Sequence, residues 1–322
     1  MSPKKGWERP FFYYEIPLLT FEKETTMRRK NQTLTVILFL LPALALFIGV
    51  LIYPIISSVH HSFYEYRTFD DAGAFVGFQN YIDLFNDHYR FGKSVVNALI
   101  LAALSVFIQL PLSLGLALML GKGIKGERFY LSVYFMPVLI SAVVIGMLWE
   151  KIYNPIYGII TKAFEFFNWS GLPTEGLLAN KKTALLAVFI PTIWQYVGYH
   201  MLLMYAGVKG VSPELREAAK LDGATDGQVN RYVVIPSIKP VIKVSIIFAI
   251  TGSLKAYDLI KVFAKDARNL PYEVPSLLLV RYVFGNYGGI ASAIAVMMII
   301  MCFFFAILVN WLFKERNPYG TK

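Results

Sequence analysis

Six long runs of apolar residues constrain this chain more than any other feature of its sequence. They cover approximately residues 34–57, 94–120, 129–150, 183–208, 241–258 and 288–313. Each run approaches or exceeds the ~20 residues with which a helix crosses the hydrocarbon core of a bilayer. Hydrophobic residues make up 56% of the chain and charged residues only 16%, a balance that indicates a membrane protein. The pattern predicts an all-α integral membrane protein with six transmembrane helices.

These runs predict one transmembrane domain, residues 34–313, between a leading segment, residues 1–33, and a tail, residues 314–322. The aromatic stretch at residues 11–21 is too short to span a bilayer, and it fits either an interfacial anchor or a disordered tail. No short apolar core is followed by a small-residue cleavage site, so no signal peptide is predicted, and Met27 is an alternative start. No internal repeat or Gly/Ser linker divides the chain further.

The basic residues are distributed unequally between the predicted loops. With the N-terminus inside, the inner segments are 1–33, 121–128, 209–243 and 314–322, and the outer segments are 58–93, 151–182 and 255–287. The inner segments hold 19 of the 31 Lys and Arg residues, and the longer outer segments hold the other 12. Because basic loops stay in the cytoplasm, both termini are predicted to be cytoplasmic. The same bias explains the net charge of +10, so no nucleic-acid partner is predicted.

One polar stretch, residues 212–240, lies between the fourth and fifth apolar runs on the predicted cytoplasmic side. Ser212 followed by Pro213 is a typical helix start, because serine caps a helix and proline suits its first position. Asp222-Gly223 is a helix stop, and Thr225 has the spacing of a capping box with Gln228. The stretch therefore predicts a helix–turn–helix.

Helical spacing assigns one face of small or apolar residues, a docking face, to each of the two short helices. In the first helix, Leu215, Ala218 and Ala219 share a face, and in the second Val229, Tyr232 and Val233 do so. A loop with small and apolar faces between membrane spans is expected to dock onto another protein. An ordinary cytoplasmic connector is the alternative.

The same stretch carries a resemblance to a known family. Glu217-Ala218-Ala219, then Asp222-Gly223-Ala224 and finally Ile235-Pro236 resemble the EAA loop of the permeases of ABC importers. The resemblance implies that residues 212–240 dock as coupling helices into a cleft on a separate ATPase subunit. Glu217 would be the charged contact, and Gly223 the turn that a Cβ would spoil. The chain departs from the family at Asn230, where an aromatic residue is usual, and at Ile235, where leucine is usual.

Other segments resemble the carbohydrate-uptake class of this family, which includes maltose and glycerol-phosphate permeases. The outer motif at residues 75–81 contains Gly77-x-x-Asn80-Tyr81, which recurs in the first external loop of that class, and it is expected to be folded rather than a tether. The resemblance extends from about residue 34 to the C-terminus and fails at residues 264–270. That outer loop is therefore expected to be specialised.

Polar residues inside the apolar runs mark the expected substrate pathway, because burying them in hydrocarbon is costly. The predicted pathway residues are Trp194, Gln195, Tyr199, Ser253 and Tyr257. Aromatic faces and hydrogen-bonding side chains suit a sugar ring, and the i, i+4 spacing of Gln195 and Tyr199 favours a shared face. The alternative is that these groups bond across helix interfaces. Outer bases such as Lys265 and Arg281 leave room for an anionic sugar, although neutral oligosaccharides are the default.

Motifs of enzymes are missing from the sequence. It contains no P-loop of the form G-x-x-x-x-G-K-[ST], no H-x-x-x-H pair and no G-x-S-x-G elbow, and its single cysteine, Cys302, lies in an apolar run. The chain is therefore not expected to be an enzyme, to hold a metal or to carry a cofactor. The resemblance implies that ATP and magnesium are bound by partner subunits.

The resemblance implies a permease subunit of a binding-protein-dependent ABC importer for a sugar or oligosaccharide. Its implied partners are a second, different permease forming a heterodimer, two ABC ATPases, an extracytoplasmic solute-binding protein and membrane lipid. Its implied location is a bacterial-type cytoplasmic (inner) membrane. The alternative is an ion-coupled secondary transporter, which predicts half-repeats and an acidic residue at mid-membrane, whereas Glu150 and Asp258 lie at span ends. A scaffold without transport would not need the polar residues in the fourth and fifth runs.

Overall fold

A computed structural model describes residues 35–67, 73–86, 90–265, 267–268 and 270–314. The predicted leading segment and residues 315–322 of the tail lie outside the described residues. The chain divides into two compact units, one up to Ser57 and the other from Ser58 onward. The first described helix, α1 (Thr35–His61), has 27 residues and contains a π-helical turn over Phe47–Ile52. At 1.5 Å per residue it is about 40 Å long, which is enough to cross a bilayer.

Helices make up most of the second unit. They are α2 (Gln79–Leu84), α3 (Phe91–Leu120), α4 (Glu127–Leu139), α5 (Ala142–Ile152), α6 (Ile159–Phe166), α7 (Ala184–Lys209), α8 (Pro213–Leu221), α9 (Asp226–Ser237), α10 (Lys239–Leu254), α11 (Asp258–Ala264), α12 (Pro275–Phe284) and α13 (Gly288–Leu312). Two short strands, β1 (Tyr64–Glu65) and β2 (Ala74–Phe75), pair antiparallel with Tyr64 opposite Phe75. The expectation of a mainly helical membrane protein is confirmed.

Four of the described helices are long and apolar enough to cross a membrane: α1, α3, α7 and α13. Two further pairs of helices are each bent at a short break, and up to six spans result if each pair counts as one span. The third apolar run, predicted as one helix over residues 129–150, consists of α4 and α5 bent by 94°. The bend follows Pro137, where Ile140 becomes extended and the Ser141 hydroxyl accepts a bond from the Val143 N–H at 3.3 Å. A serine cap can start a new helix inside an apolar run.

The fifth apolar run is also interrupted. A 70° bend precedes the run, at the break between the helical segments Asp226–Ser237 and Lys239–Ala264. Within the second of them, α10 ends at Leu254, and α11 begins at Asp258 after Tyr257 leaves the helical region. The predicted run over residues 241–258 therefore contains the end of one helix and the beginning of the next.

The core of the second unit lies where α7 packs against α3 and α4, and where α10 packs against α3 and α13. The crossing of α4 and α7 is so close that a Cβ added at Gly198 would lie 1.9 Å from the Tyr134 carbonyl oxygen. Small residues at such crossings let two helix backbones approach, which is how helices associate where lipid gives no hydrophobic driving force. The missing side chain of Gly198 therefore lets the backbone of α7 pack directly against the backbone of α4.

The outer motif at residues 75–81 is folded, as its sequence predicts. Gly77 adopts a φ of +58°, which suits glycine, and α2 follows. The buried Asn80 amide donates to the carbonyl oxygens of Ser62 at 2.8 Å and Tyr64 at 3.0 Å. The Tyr81 hydroxyl lies 2.6 Å from the Ser62 hydroxyl. Asn80 and Tyr81 thus hold α2 against the chain that follows α1.

Candidate coupling and transport site

The first helix of the polar stretch, α8, begins where its sequence predicts. Ser212 is the N-cap residue and Pro213 is the first helical residue. The Ser212 hydroxyl donates to the carboxylate of Glu214 instead of capping a backbone N–H. This hydrogen bond holds the pKa of Glu214 below its usual range. Glu214 therefore stays charged at the positive end of the helix dipole.

The end of α8 is a Schellman motif, in which a left-handed residue closes the helix with two backbone bonds. Gly223 has a φ of +86°, and its N–H donates to the Lys220 carbonyl at 3.0 Å. The Ala224 N–H donates to the Ala219 carbonyl, also at 3.0 Å. Ala219 and Ala224 then pack on the same apolar cluster, as the paired positions of this motif commonly do. Ala219, Gly223 and Ala224 therefore occupy the positions that this motif requires at the end of a helix.

The second helix of the stretch, α9, begins with the predicted capping box. The Gln228 N–H lies 3.4 Å from the Thr225 hydroxyl, and the Gln228 side chain accepts from the Thr225 N–H at 2.7 Å. Two N–H groups that a helix start leaves unpaired are satisfied in this way. The turn between α8 and α9 is therefore closed by hydrogen bonds on both sides.

The residues of the predicted face of the second helix differ in burial. Residues Asn230–Val234 form a π-helical turn, in which the Ile235 N–H donates to the Asn230 carbonyl. Because the wider turn brings residues five apart onto one face, Val229 and Val234 are buried together while Tyr232 is 67% exposed. The sequence pattern assumed 3.6 residues per turn. The turn begins at Asn230, the residue that departs from the family pattern.

The predicted coupling residues divide into exposed and packed groups. The exposed residues are Glu217, Ala218, Asp222, Gly223 and Pro236, and the half-buried residues are Ala219 and Ala224. Leu215 is exposed as well, so the predicted α8 face is split between the surface and the cluster beneath. Sequence reasoning missed Leu221, which is 89% exposed. The sequence feature that could have identified Leu221 is an apolar residue directly before the helix stop at Asp222-Gly223.

The predicted pathway residues occupy two environments. Trp194 and Tyr199 on α7 are exposed, and the Trp194 ring lies 6.1 Å from the ring of Trp149 on α5. Gln195 is buried, and its amide nitrogen lies 3.5 Å from the Ile140 carbonyl oxygen. Ile140 lies in the bend between α4 and α5, where its carbonyl is not part of a regular helix. Gln195 and Tyr199 therefore differ in exposure despite their i, i+4 spacing.

The fifth apolar run contributes two of the predicted pathway residues. The buried Ser253 hydroxyl donates to the Ala249 carbonyl at 2.8 Å and lies 3.3 Å from the Ser105 hydroxyl of α3. Tyr257 is half-buried and packs on the core beside α11. The contacts of Gln195 and Ser253 are those of the helix-packing alternative, and a pathway role for all five residues stays a prediction.

A buried acid that the sequence did not single out organises the outer side. Glu273 is 2% exposed, and its carboxylate lies 3.2 Å from the Arg90 guanidinium and also accepts from Arg281. Asn97 donates to the Glu273 carbonyl oxygen at 2.8 Å. Lys265 pairs with Glu150 at 2.5 Å, which raises the pKa of Lys265. Two of the outer bases suggested for an anionic substrate, Arg281 and Lys265, therefore already have carboxylate partners.

Comparison with known proteins places this arrangement among transport proteins. A family model described as "Binding-protein-dependent transport system inner membrane component" matches residues 109–317. A probable ABC transporter permease protein of Bacillus subtilis is 31% identical over 280 residues, covering 86% of this chain and 95% of that protein. The permease protein of a diacetylchitobiose uptake system of Streptomyces coelicolor is 30% identical over 243 residues, covering 71% and 69%.

A solved structure shares the fold. It is that of a bacterial alginate ABC transporter in complex with an alginate pentasaccharide-bound periplasmic protein, and one of its chains superposes with a TM-score of 0.77 at 20% identity. The superposition covers 91% of this chain and 99% of that chain. At this identity the likeness concerns the fold.

Proposed function

This chain belongs to the family of binding-protein-dependent transport system inner membrane components, and on that premise we propose the part it plays in an ABC importer. It is a permease subunit that forms half of a pathway for a sugar or oligosaccharide. ATP hydrolysis in partner ATPase subunits drives the transport, because this chain has no P-loop of its own.

The observation that carries the proposal is the closed helix–turn–helix of α8 and α9. Its turn is fixed by a Schellman motif and a capping box, so the segment presents a rigid surface. That segment exposes the carboxylate of Glu217, the apolar side chain of Leu221 four residues later and the ring of Tyr232 in the second helix. Exposed apolar groups around a charged one are typical of a docking surface. We infer that α8 and α9 bind in a cleft of an ATPase subunit.

The substrate class follows from the relatives and from the polar residues of α7. One relative takes up diacetylchitobiose and the structural neighbour carries alginate, and both are saccharides. Exposed rings such as Trp194 and Tyr199 can stack on the C–H face of a sugar. Because Lys265 and Arg281 already pair with carboxylates, the outer side does not favour an anionic substrate over a neutral one.

The assembly contains this chain, a second and different permease, two ATPases that bind ATP and magnesium, and an extracytoplasmic binding protein that delivers the substrate. If α4 with α5 crosses the membrane once, and α10 with α11 crosses once, six spans leave residues 212–240 and both termini in the cytoplasm, in agreement with the distribution of Lys and Arg. The binding protein stimulates ATP hydrolysis by preferring the outward-open state, since a ligand shifts an equilibrium only through such a preference. Family membership does not favour the alternative of an ion-coupled secondary transporter.

Purification of this chain in mild detergent, followed by mass spectrometry of the proteins that accompany it, tests the proposal. We expect a P-loop ATPase and a second permease with an EAA-type loop. Glu217→Lys should insert normally, lose the ATPase and abolish transport, because it reverses a charge that the docking surface presents. Glu165→Lys, a charge reversal at an exposed position on α6, is the matched control. A chain that purifies without any ATPase would refute the importer function.

A further inference from the structure

Three cytoplasmic elements of the second unit meet where α7 ends. They are the short loop (residues 121–128), which leads from α3 into the first residues of α4, the last turn of α7, and the α8–α9 segment. The short loop touches α7 directly, because a Cβ added at Gly121 would lie 2.4 Å from Cγ1 of Val208. Polar contacts connect each element to the other two.

The first connection joins the short loop to α7 through Glu127. One oxygen of its carboxylate accepts from the Tyr205 hydroxyl, and the other lies 3.1 Å from Nζ of Lys209. The Lys209 ammonium also lies 5.6 Å from the centroid of the Tyr205 ring. The Glu127 side chain is 19% exposed, so water screens this carboxylate less than it screens a surface pair.

The second connection joins α7 to α8 through Arg216. Its guanidinium donates to the carbonyl oxygen of Val208, in the last turn of α7. The Val208 carbonyl also accepts from the Val211 N–H at 3.4 Å. A cation placed at the last carbonyls of a helix adds a second bond there and complements the helix dipole. Arg216 directly precedes Glu217, the predicted contact to the ATPase.

The third connection joins α9 to the short loop through Asp226. Its carboxylate lies 3.5 Å from Nζ of Lys122 in the short loop and 3.1 Å from Nζ of Lys220 in α8. These side chains are about half exposed, so this connection is the weakest of the three. Together, the contacts of Glu127, Arg216 and Asp226 form a closed polar ring.

We propose that Glu127 is a positioning residue for energy coupling, because it ties the last turn of α7 to the short loop so that α4, α7 and α8 move as one body. The proposal rests on the proposed function, in which α8 receives the motion of the ATPase. The directed contacts of Glu127 add to the packing of Gly121 on Val208 and hold the last turn of α7 in one position against the short loop. Because α7 rises 1.5 Å per residue, a displacement at Val208 is carried about 21 Å to Trp194.

The test measures how far α7 moves when the complete transporter binds nucleotide, with no substrate needed. Cys302 is the single cysteine, so in a Cys302→Ala background spin labels are placed at Ile190 on α7 and Ile300 on α13, both of which are exposed. The distance between the labels is measured in nanodiscs with and without ATP and vanadate. ATP hydrolysis by the same samples shows whether the ATPases remain bound.

We expect Glu127→Gln to reduce the nucleotide-dependent change in label distance at least twofold while ATP hydrolysis continues. Tyr205→Phe, which removes only a hydroxyl, should act in the same direction if Glu127→Gln fails to assemble. The double variant Glu127→Lys with Lys209→Glu should restore the change, which a merely structural role would not require. Glu165→Gln, which breaks the exposed pair of Lys162 and Glu165 on α6, should have no effect.

A full distance change in both Glu127→Gln and Tyr205→Phe would overturn the role of Glu127, as would a charge swap that restores nothing. An unmodified complex that binds no ATPase, or that does not respond to ATP, would instead refute the proposed function together with the ring. The two failures are therefore distinguishable.

Discussion

Substitution of Gly223 tests why the turn between α8 and α9 contains a glycine. The glycine is needed either for its left-handed backbone conformation or for the space that its missing side chain leaves. Gly223 has a φ of +86°, and a Cβ added there would meet no atom within 4 Å. Within this chain, a side chain at residue 223 is therefore opposed by the backbone conformation and not by a collision.

The size of the effect follows from the left-handed conformation. An L-residue other than glycine pays roughly 1–2 kcal/mol there. Reduced freedom of the unfolded segment returns ~0.4–1 kcal/mol of this when alanine replaces glycine. The net cost of Gly223→Ala is then on the order of 1 kcal/mol, which weakens the complex by at most about fivefold if only the native turn binds the ATPase.

Asparagine and aspartate make the prediction sharper. Asn tolerates the left-handed region better than Ala, so Gly223→Asn should weaken binding by less than Gly223→Ala. Gly223→Asp has the same backbone tolerance, but it places a negative charge at the negative end of α8, beside Asp222. We therefore expect Asn to be the mildest of the three variants and Asp to be no milder than Ala.

The assay is a titration of the ATPase subunit against the permease pair in nanodiscs, with the dissociation constant as the result. If Asn weakens binding as much as Ala or more, the conformational explanation is refuted, and the ATPase must instead need the space that glycine leaves. Equal affinity for all three variants would show that the turn is not part of the docking surface.

Two further predictions concern packing elsewhere in the second unit. Asn80→Ala should lower the melting temperature in detergent, because it leaves two carbonyl oxygens without their donor, at roughly 1–3 kcal/mol for each buried group. Gln79→Ala, at an exposed position, is the control. Equal melting temperatures of the two variants would contradict the reasoning. Gly198→Ala should sharply reduce the yield of folded protein, because its Cβ would lie 1.9 Å from the Tyr134 carbonyl oxygen. Gly252→Ala, with no atom within 4 Å of the added Cβ, should express normally, and similar yields for both variants would argue against the close crossing.

The local features of residues 212–240 could be predicted because they depend on neighbouring residues. The start at Ser212, the stop at Gly223 and the capping box of Thr225 are all present in the structure. The orientation of Tyr232 could not be predicted, because the π-helical turn leaves no mark in a hydrophobic pattern of 3.6 residues per turn. Tertiary packing of Val234 against the cluster beneath selects that turn.

The long-range features could be predicted only in part. Apolar runs indicate where spans lie, but they do not show the 94° bend after Pro137, since its serine cap lies inside an apolar run. The burial of Glu273 was also missed, because Arg90 and Arg281 are 183 and 8 residues away in the chain and only the fold brings both to its carboxylate. Pairings of this kind follow from the packing of distant helices.

The wide turn at Asn230–Val234 also decides where the length of this segment can change during evolution. A π-helical turn amounts to one surplus residue in an α-helix. Five residues of the wide turn complete about the same rotation as four residues of a regular helix, so deleting one residue there would leave the preceding turn in nearly the same orientation toward Ile238. Deleting a residue from the regular part of α9 would instead rotate everything before it by about 100°, away from the last turn of α7. Single-residue deletions in homologues should therefore be tolerated at residues 230–234 and avoided in the rest of residues 226–238.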